Sequence, residues 1–108
     1  MDERRQGVRV ALDVNVSEKL VSGTTKAKAV NLSNTGMRYV KPDNSPRHNS
    51  EEVFLEFTLP GETDPIRVTG WVVEEIEKDK RLETAVTFML LHENDEEKIN
   101  MYVKNNLP

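Results

Sequence analysis

The chain has 108 residues, of which 36% are hydrophobic and 31% are charged, and its formal net charge is −4. This length and this balance are typical of one small globular domain and exclude a disordered chain. The absence of cysteine excludes disulfides, thiolate zinc sites and cysteine nucleophiles, and the apolar runs are too short for a membrane-spanning helix.

Alternation of apolar and polar residues predicts strands along most of the chain. Every second residue from Val8 to Val16 is apolar, which predicts a strand with one buried face. The same pattern recurs after each group of turn-forming residues. The six predicted strands are Val8–Val16, Thr24–Leu32, Met37–Val40, Val53–Leu59, Ile66–Ile76 and Arg81–Leu91.

Turn-forming residues separate the predicted strands. Turns are predicted at Ser22–Gly23 and at Ser33–Gly36, since asparagine and glycine supply the positive φ angles that other residues resist. Lys41–Ser50 contains two prolines, two asparagines and two serines with almost no apolar residue, which predicts a surface loop.

The spacing of apolar residues changes near the end of the chain. Ile99, Tyr102 and Val103 have the spacing of one helical face, and Asn94 is a suitable N-cap. We therefore predict a helix over residues 94–105. Six strands and one terminal helix indicate an all-β fold for residues 1–108, as a single domain. The candidates are a small antiparallel barrel or sandwich with a helix packed on it.

The net charge conceals an asymmetry between the two halves of the chain. Residues 1–50 carry 9 Lys and Arg against 5 Asp and Glu, whereas residues 51–108 carry 6 against 14. Part of the positive excess is a cluster before the first strand, formed by Arg4, Arg5 and Arg9. A guanidinium can bind a phosphate through two parallel hydrogen bonds, pair with the edge of guanine or stack on a purine. The cluster therefore predicts either a guanine-nucleotide site or a solvated basic tail.

A second group of candidate residues lies where the second predicted strand ends. Because strand neighbours alternate, Leu32 is expected to face the core while Asn31 and Ser33 share the other face. Two short polar groups on one face can bind a base or a phosphate. Gly36 is expected to provide a conformation or a close approach that a Cβ would block. Taken alone, this segment is also typical of an ordinary turn.

Candidate catalytic residues are few. The two histidines, His48 and His92, have no neighbours that would form a nucleophile–base pair or a metal site. We therefore expect a protein that is not an enzyme and holds no metal. Met1–Arg5 lacks the apolar stretch of a signal peptide, so a cytoplasmic location is expected.

The two groups of residues together resemble the paired signature of the PilZ domain, the bacterial cyclic di-GMP receptor module. That signature is two arginines separated by three residues, followed by Asp or Asn, x, Ser, x, x, Gly. Here it is matched by Arg5 and Arg9 and then by Asn31, Ser33 and Gly36. The resemblance covers essentially the whole chain, and it implies a six-stranded antiparallel β-barrel with a C-terminal helix. Later segments that follow the family plan are Val53–Leu59, Gly70–Val73 and Ala85–Phe88.

The resemblance also implies roles for these residues. Arg5 and Arg9 would contact the guanine and phosphates of cyclic di-GMP, and Asn31 and Ser33 would hydrogen-bond a guanine edge or a phosphate. Gly36 would shape the turn beside them.

The N-terminal arm, residues 1–9, is expected to be flexible and to order around the ligand. Arginine at the position of Arg4 is associated in the family with two mutually intercalated ligand molecules, because its guanidinium can stack on an outer base. The resemblance therefore implies two ligands per protomer and no other cofactor.

The implied function is a non-enzymatic receptor that signals to an unidentified effector protein, with an output in motility, exopolysaccharide production or a related behaviour. A monomer or weak homodimer is expected. One alternative is an adaptor of the same fold that binds no ligand. Another is an OB-like binder of single-stranded nucleic acid, which the 6% aromatic content and the acidic fifth and sixth strands disfavour.

Three positions, Asn31, Ala85 and Trp71, bear on how this chain fits the family pattern. Asn31 stands where aspartate is commoner, and Ala85 stands where many members have glycine, so its methyl group could weaken ligand binding. Trp71 is the single tryptophan. A role in the core or against the helix is favoured for it over a place on the outer surface near the ligand.

Overall fold

The computed structural model describes residues 8–46 and 51–108 of the chain. Within this part, seven strands form one sheet and a single helix follows them. The strands are β1 Val10–Ala11, β2 Asn15–Leu20, β3 Gly23–Leu32, β4 Gly36–Pro42, β5 Glu52–Phe57, β6 Ile66–Lys78 and β7 Arg81–Met89, and the helix is α1 Glu93–Asn105.

The sheet closes on itself. Its strand order is β1-β3-β2-β5-β6-β7-β4, and β3 also pairs with β4. Every pairing is antiparallel. The long strands β2 to β7 therefore form the predicted six-stranded antiparallel barrel, and the two-residue β1 extends the wall along β3. Closure leaves the long strands without free edges.

The first predicted strand, Val8–Val16, is wrong in its bounds, because the structure divides it into β1 and β2. Both parts pair with β3, and Leu12 N still donates to Val30 O at 3.2 Å between them. The reason is a shift of one residue in the pairing with β3: Ala11 lies opposite Asn31 but Asn15 lies opposite Lys28, so three residues of the first segment face two residues of β3 and the ladder is interrupted. The alternation of apolar residues continues through this shift, since Val10, Leu12 and Val16 are all buried, so it gave no sign of the break.

The core consists of the apolar residues that the alternation placed on the inner face. Strand side chains point in and out in turn, so each long strand contributes alternate residues to one cluster. Helix α1 adds Ile99 to it. Residues of this cluster that are almost fully buried are Val16, Leu32, Met37, Tyr39, Val53, Leu55, Ile66, Val72 and Ile99.

A buried polar cluster, the barrel network, lies beside this apolar core. Lys41 Nζ lies 2.9 Å from Glu18 Oε1 and 2.9 Å from Glu75 Oε2. The Tyr39 hydroxyl donates to Glu18 Oε2, and the Thr84 hydroxyl donates to Glu75 at 2.8 Å. Burial, together with the charge of Glu18, raises the pKa of Tyr39 above its ordinary value of 10.0. One buried ammonium group therefore lies between two carboxylates.

The predicted surface loop Lys41–Ser50 begins too early. Strand β4 runs to Pro42, and Lys41 is 2% exposed because its side chain continues the inward-facing set of β4 into the barrel network. A lysine is rarely buried unless it is paired. Lys41 was therefore expected at the surface, in a loop with the polar residues that follow it. Residues 47–50, which include His48, lie outside the described residues.

Helix α1 has the predicted apolar face, and its bounds are close to the predicted 94–105. Ile99 is fully buried, and the Tyr102 hydroxyl donates to Ala11 O at 3.2 Å, which ties the helix to β1. No helix in residues 8–46 and 51–108 is long and apolar enough to cross a membrane.

The predicted N-cap of this helix is wrong. His92 is the N-cap, and its Nδ1 accepts a hydrogen bond from Asn94 N at 3.3 Å. Asn94 therefore lies inside the first turn. A histidine ring nitrogen supplies the acceptor that an asparagine or serine oxygen usually provides at this position, and three acidic residues follow in the first turn, where the helix dipole favours them.

Candidate functional site

The two predicted motifs meet where β1 runs along β3. Ala11 lies opposite Asn31, so the residues just before β1 approach the end of β3. Arg9 Nη1 donates to Asn31 Oδ1 at 3.1 Å. Arg9 is exposed and Asn31 is half-buried, so both side chains can reach a ligand in solvent. Arg4 and Arg5 lie outside the described residues.

Ser33 belongs to the β3–β4 turn and does not share the outer face with Asn31. It is 1% exposed, and its hydroxyl accepts hydrogen bonds from the backbone N–H groups of Thr35 and Gly36 at 3.2 and 3.1 Å. The same hydroxyl lies 3.3 Å from Gly36 O, as a donor. Ser33 follows the last residue of β3, where strand alternation no longer holds. Its side chain therefore holds the shape of the turn.

Gly36 allows β4 to approach β7 closely. A Cβ added at Gly36 would lie 2.2 Å from Val86 O, far inside van der Waals contact. The predicted close approach is thus confirmed. The predicted positive φ angles are wrong for this turn, because no residue from 33 to 36 has one. The turn is shaped by the serine hydroxyl and by the contact with β7.

A row of outward-facing positions crosses the barrel wall beside Asn31. Arg38 on β4 lies opposite Asn31, Ala85 on β7 lies opposite Arg38, and Glu74 on β6 lies opposite Ala85. Directly opposed residues have Cβ atoms about 4.5–5.5 Å apart. Arg38 is therefore a neighbour of Asn31 that the sequence analysis missed. Alternation along the third predicted strand would have placed Arg38 on the outer face, but nothing linked that face to Asn31.

Arg38 is ion-paired with two carboxylates, one on the adjacent strand β7 and one on β6, the strand beyond it. Its Nη1 lies 3.3 Å from Glu83 Oε1 and 3.6 Å from Glu74 Oε2. Ala85 lies on β7 opposite Arg38 and is 4% exposed, so its methyl group is almost wholly buried. The guanidinium and the two carboxylates together carry one negative charge.

Trp71 lies on the outer surface, and the favoured core role is wrong. Its side chain is 41% exposed. Trp71 lies opposite Thr87, and Thr87 lies opposite Gly36, in the outward-facing row next to that of Arg38. Gly70 and Val72 face inward on either side, so the indole is placed by strand alternation. An exposed aromatic face is thus available beside the polar row.

These groups suit the recognition of a planar, anionic ligand. The guanidinium groups of Arg9 and Arg38 can bind phosphates or a guanine edge. The amide of Asn31 can donate and accept hydrogen bonds, and the indole of Trp71 can pack against a base. No group of three or more histidine, aspartate or glutamate side chains that could hold a metal ion occurs in the described part of the chain.

Comparison with solved structures identifies proteins of the same fold. The Bacillus subtilis inhibitor of motility, MotI/DgrA, superposes with a TM-score of 0.85 at 19% identity, over 96% of this chain and 51% of that chain. YcgR from Escherichia coli in complex with c-di-GMP gives 0.77 at 14% identity, over 94% and 45%. The chain thus spans about half the length of these two proteins. The PilZ domain of YcgR with c-di-GMP gives 0.74 at 13% identity, over 96% and 92%.

Comparison with family models agrees with these superpositions. Curated proteins give no significant match. The model of the PilZ domain, however, matches residues 3–105, which is nearly the whole chain. The chain belongs to the PilZ domain family.

Proposed function

We propose that this protein is a receptor for cyclic di-GMP that binds the ligand on the outer face of the barrel at the junction of β1 and β3. The observation that carries the proposal is the hydrogen bond between Arg9 and Asn31 at 3.1 Å, which brings the two family motifs into one site. Membership of the PilZ family and the similar fold of YcgR in complex with c-di-GMP support the same ligand.

The residues of the two motifs have different roles in this proposal. Arg4, Arg5 and Arg9 contact the phosphates and guanines from the N-terminal side. Asn31 contacts a guanine edge from the barrel wall. The small residues of the second motif, Ser33 and Gly36, act through the turn, because the Ser33 hydroxyl is already bonded to the turn backbone.

The test is a titration of the purified protein with cyclic di-GMP, with cyclic di-AMP and GTP as controls. Isothermal titration calorimetry gives the affinity and the stoichiometry. Because Trp71 is exposed in the row next to the site, its fluorescence gives a second signal without a label. Binding of cyclic di-GMP alone supports the proposal. Absence of binding would favour the ligand-independent adaptor.

We expect two ligand molecules per protomer. The reason is Arg4, whose guanidinium can stack on the outer base of an intercalated pair. The calorimetric ratio is then close to two for the wild type and close to one for Arg4→Ala, while Arg81→Ala keeps a ratio near two. A wild-type ratio near one contradicts the intercalated pair without contradicting binding itself.

Replacement of Arg9 tests the motif assignment. Arg9→Ala removes a charge-assisted hydrogen bond to the ligand, worth about 1.5–3 kcal/mol, so the affinity for cyclic di-GMP is expected to fall at least about tenfold. The matched control is Arg81→Ala, an exposed arginine that lies four residues along β7 from Ala85 in the row of Asn31, roughly 13 Å at ~3.3 Å per residue. Wild-type affinity in Arg9→Ala would mean that this arginine does not belong to the site.

The proposed output is a change in the surface that the protein offers to an effector. Ligand contacts at Arg9 act next to β1, which consists of two residues and is tied to the helix through the Tyr102–Ala11 hydrogen bond. Binding of the ligand is therefore expected to alter the region of β1 and α1. Hydrogen exchange with and without cyclic di-GMP tests this, since slowed exchange confined to the β5–β6 loop would contradict it.

A further inference from the structure

Arg38 is a cation on the proposed binding face that neither family motif contains. It lies opposite Asn31 across the β3–β4 pair, and its side chain is 23% exposed. Both of its ion pairs, with Glu74 and Glu83, use the same atom, Nη1. A guanidinium has five N–H donors in a planar fork. The ion pairs therefore leave donors that a third acceptor on the outer face can use.

The two carboxylates beside Arg38 work against an anionic ligand. The Glu74 side chain is 47% exposed and that of Glu83 is 23% exposed, so both are open to the outer face. With Arg38, which lies on the strand next to that of Asn31, they form a group of net charge −1. A phosphate that approaches this group must draw Arg38 toward itself or meet the excess negative charge. The ion pairs and the ligand therefore compete for one guanidinium.

We propose that Arg38 is a further ligand-contacting residue and that Glu74 and Glu83 set the affinity of the site by competing with the ligand phosphates for its guanidinium. This inference rests on the proposed binding of cyclic di-GMP. It adds a residue outside both motifs, and it adds an acidic pair whose removal strengthens binding. The repulsion between a carboxylate and an anion at an exposed site acts over a few ångströms and is weakened by salt.

The test compares the affinities of four variants for cyclic di-GMP at about 0.1 M salt, measured by calorimetry. Glu74→Gln and Glu83→Gln are expected to bind about three- to tenfold more tightly than the wild type, with a smaller gain at high salt. Arg38→Ala is expected to bind about tenfold more weakly, and Arg38→Lys to lie between it and the wild type, since lysine keeps the charge and loses the planar fork.

The matched control is Glu62→Gln, which makes the same change in net charge far from the site. Glu62 is exposed in the loop between β5 and β6, and it precedes Ile66, eight residues along β6 from Glu74, roughly 25 Å at ~3.3 Å per residue. The affinity of Glu62→Gln for cyclic di-GMP is expected to stay within about twofold of the wild type. The reason is that such a distance exceeds the screening length at the salt concentration of the test.

A double-mutant cycle separates competition from simple repulsion. If the carboxylates act through Arg38, the gain of Glu74→Gln falls in the Arg38→Ala background to the level of the Glu62→Gln control. A full gain in that background shows direct repulsion and overturns the inference, as does unchanged or weaker binding by Glu74→Gln alone. The wild-type titration separates the two proposals: a wild type that does not bind overturns both, and a binding wild type with insensitive variants overturns only this one.

Discussion

At the scale of single residues, the second motif divides into one surface group and two turn-forming groups. Asn31 presents its amide outward, opposite Arg38. The Ser33 hydroxyl is hydrogen-bonded to the backbone of the turn. Gly36 allows β4 to approach β7 closely at Val86. The motif, in which Asn31 and Ser33 were both expected to contact a ligand, therefore consists of one surface side chain and the turn that positions it. This division follows from hydrogen bonds that strand alternation alone does not reveal.

Tyr39 gives the first prediction at this scale, a dependence of stability on alkaline pH. Burial and the neighbouring charges of Glu18 and Glu75 raise the pKa of its hydroxyl. The folded state thus keeps a proton that the unfolded chain loses above about pH 10, so the free energy of unfolding falls as the pH rises beyond that value. The expected loss between pH 8 and pH 11 is about 1.4 kcal/mol from this group.

The measurement is urea unfolding of the wild type and of Tyr39→Phe across that range. The variant loses the hydrogen bond to Glu18 and is expected to be less stable at neutral pH by about 1–3 kcal/mol. The difference between the two proteins should narrow as the pH rises, because phenylalanine has no proton to lose. A difference that stays constant to pH 11 contradicts a raised pKa for Tyr39.

At the scale of elements, the β6–β7 hairpin carries a backbone conformation that its sequence does not favour. Lys78 pairs with Arg81, so Asp79 and Lys80 form a two-residue turn, and their φ angles are 54° and 64°. Two-residue hairpins of this kind prefer glycine at the second position, since a side chain there is strained by about 1–2 kcal/mol. The hairpin thus forms because the pairing of two long strands outweighs the strain of the turn.

Relief of that strain is expected to stabilise the barrel. Lys80→Gly should raise the free energy of unfolding by about 0.5–1 kcal/mol, part of the gain being offset by the greater freedom of glycine in the unfolded chain. Lys80→Ala is the control, since it removes the same charge and keeps the strained φ, and no comparable gain is expected from it. Equal stability of the two variants in urea unfolding would show that charge, and not backbone strain, limits this turn.

At the scale of the whole molecule, the barrel network joins four strands through one lysine. Lys41 on β4 lies between Glu18 on β2 and Glu75 on β6, and Thr84 on β7 donates to Glu75. Removing one partner of a buried ion pair leaves an uncompensated charge. Lys41→Met should therefore lower the free energy of unfolding by about 3–5 kcal/mol.

The control for this loss is an exposed lysine of the same barrel. Lys28 lies 3.5 Å from Asp13 and its side chain is 56% exposed, so Lys28→Met should change stability by less than about 1 kcal/mol. Addition of Glu18→Gln to Lys41→Met should restore part of the loss, because it removes one unpaired charge. Similar small losses in both lysine variants, measured by thermal unfolding, would mean that the network contributes no more than a surface pair.

Alternation and turn residues were sufficient to predict six long strands and a terminal helix, because each strand has one face in water and one in the core. They did not predict the break between β1 and β2, where the pairing with β3 shifts by one residue. They also indicated a loop at Lys41, because a buried lysine is compatible with a strand only when its partners come from other strands. Those partners, Glu18 and Glu75, lie far from it in the chain.

The candidate site shows the same division between local and long-range information. The sequence by itself determined the family, since the spacing of Arg5 and Arg9 and of Asn31 to Gly36 is a local property of the chain. Only the tertiary structure decided that Arg38, Ala85 and Glu74 line up beside Asn31 and that Trp71 lies outside the core. Strand register and bulges determine which residues face each other across a closed barrel, and both depend on pairings between distant segments.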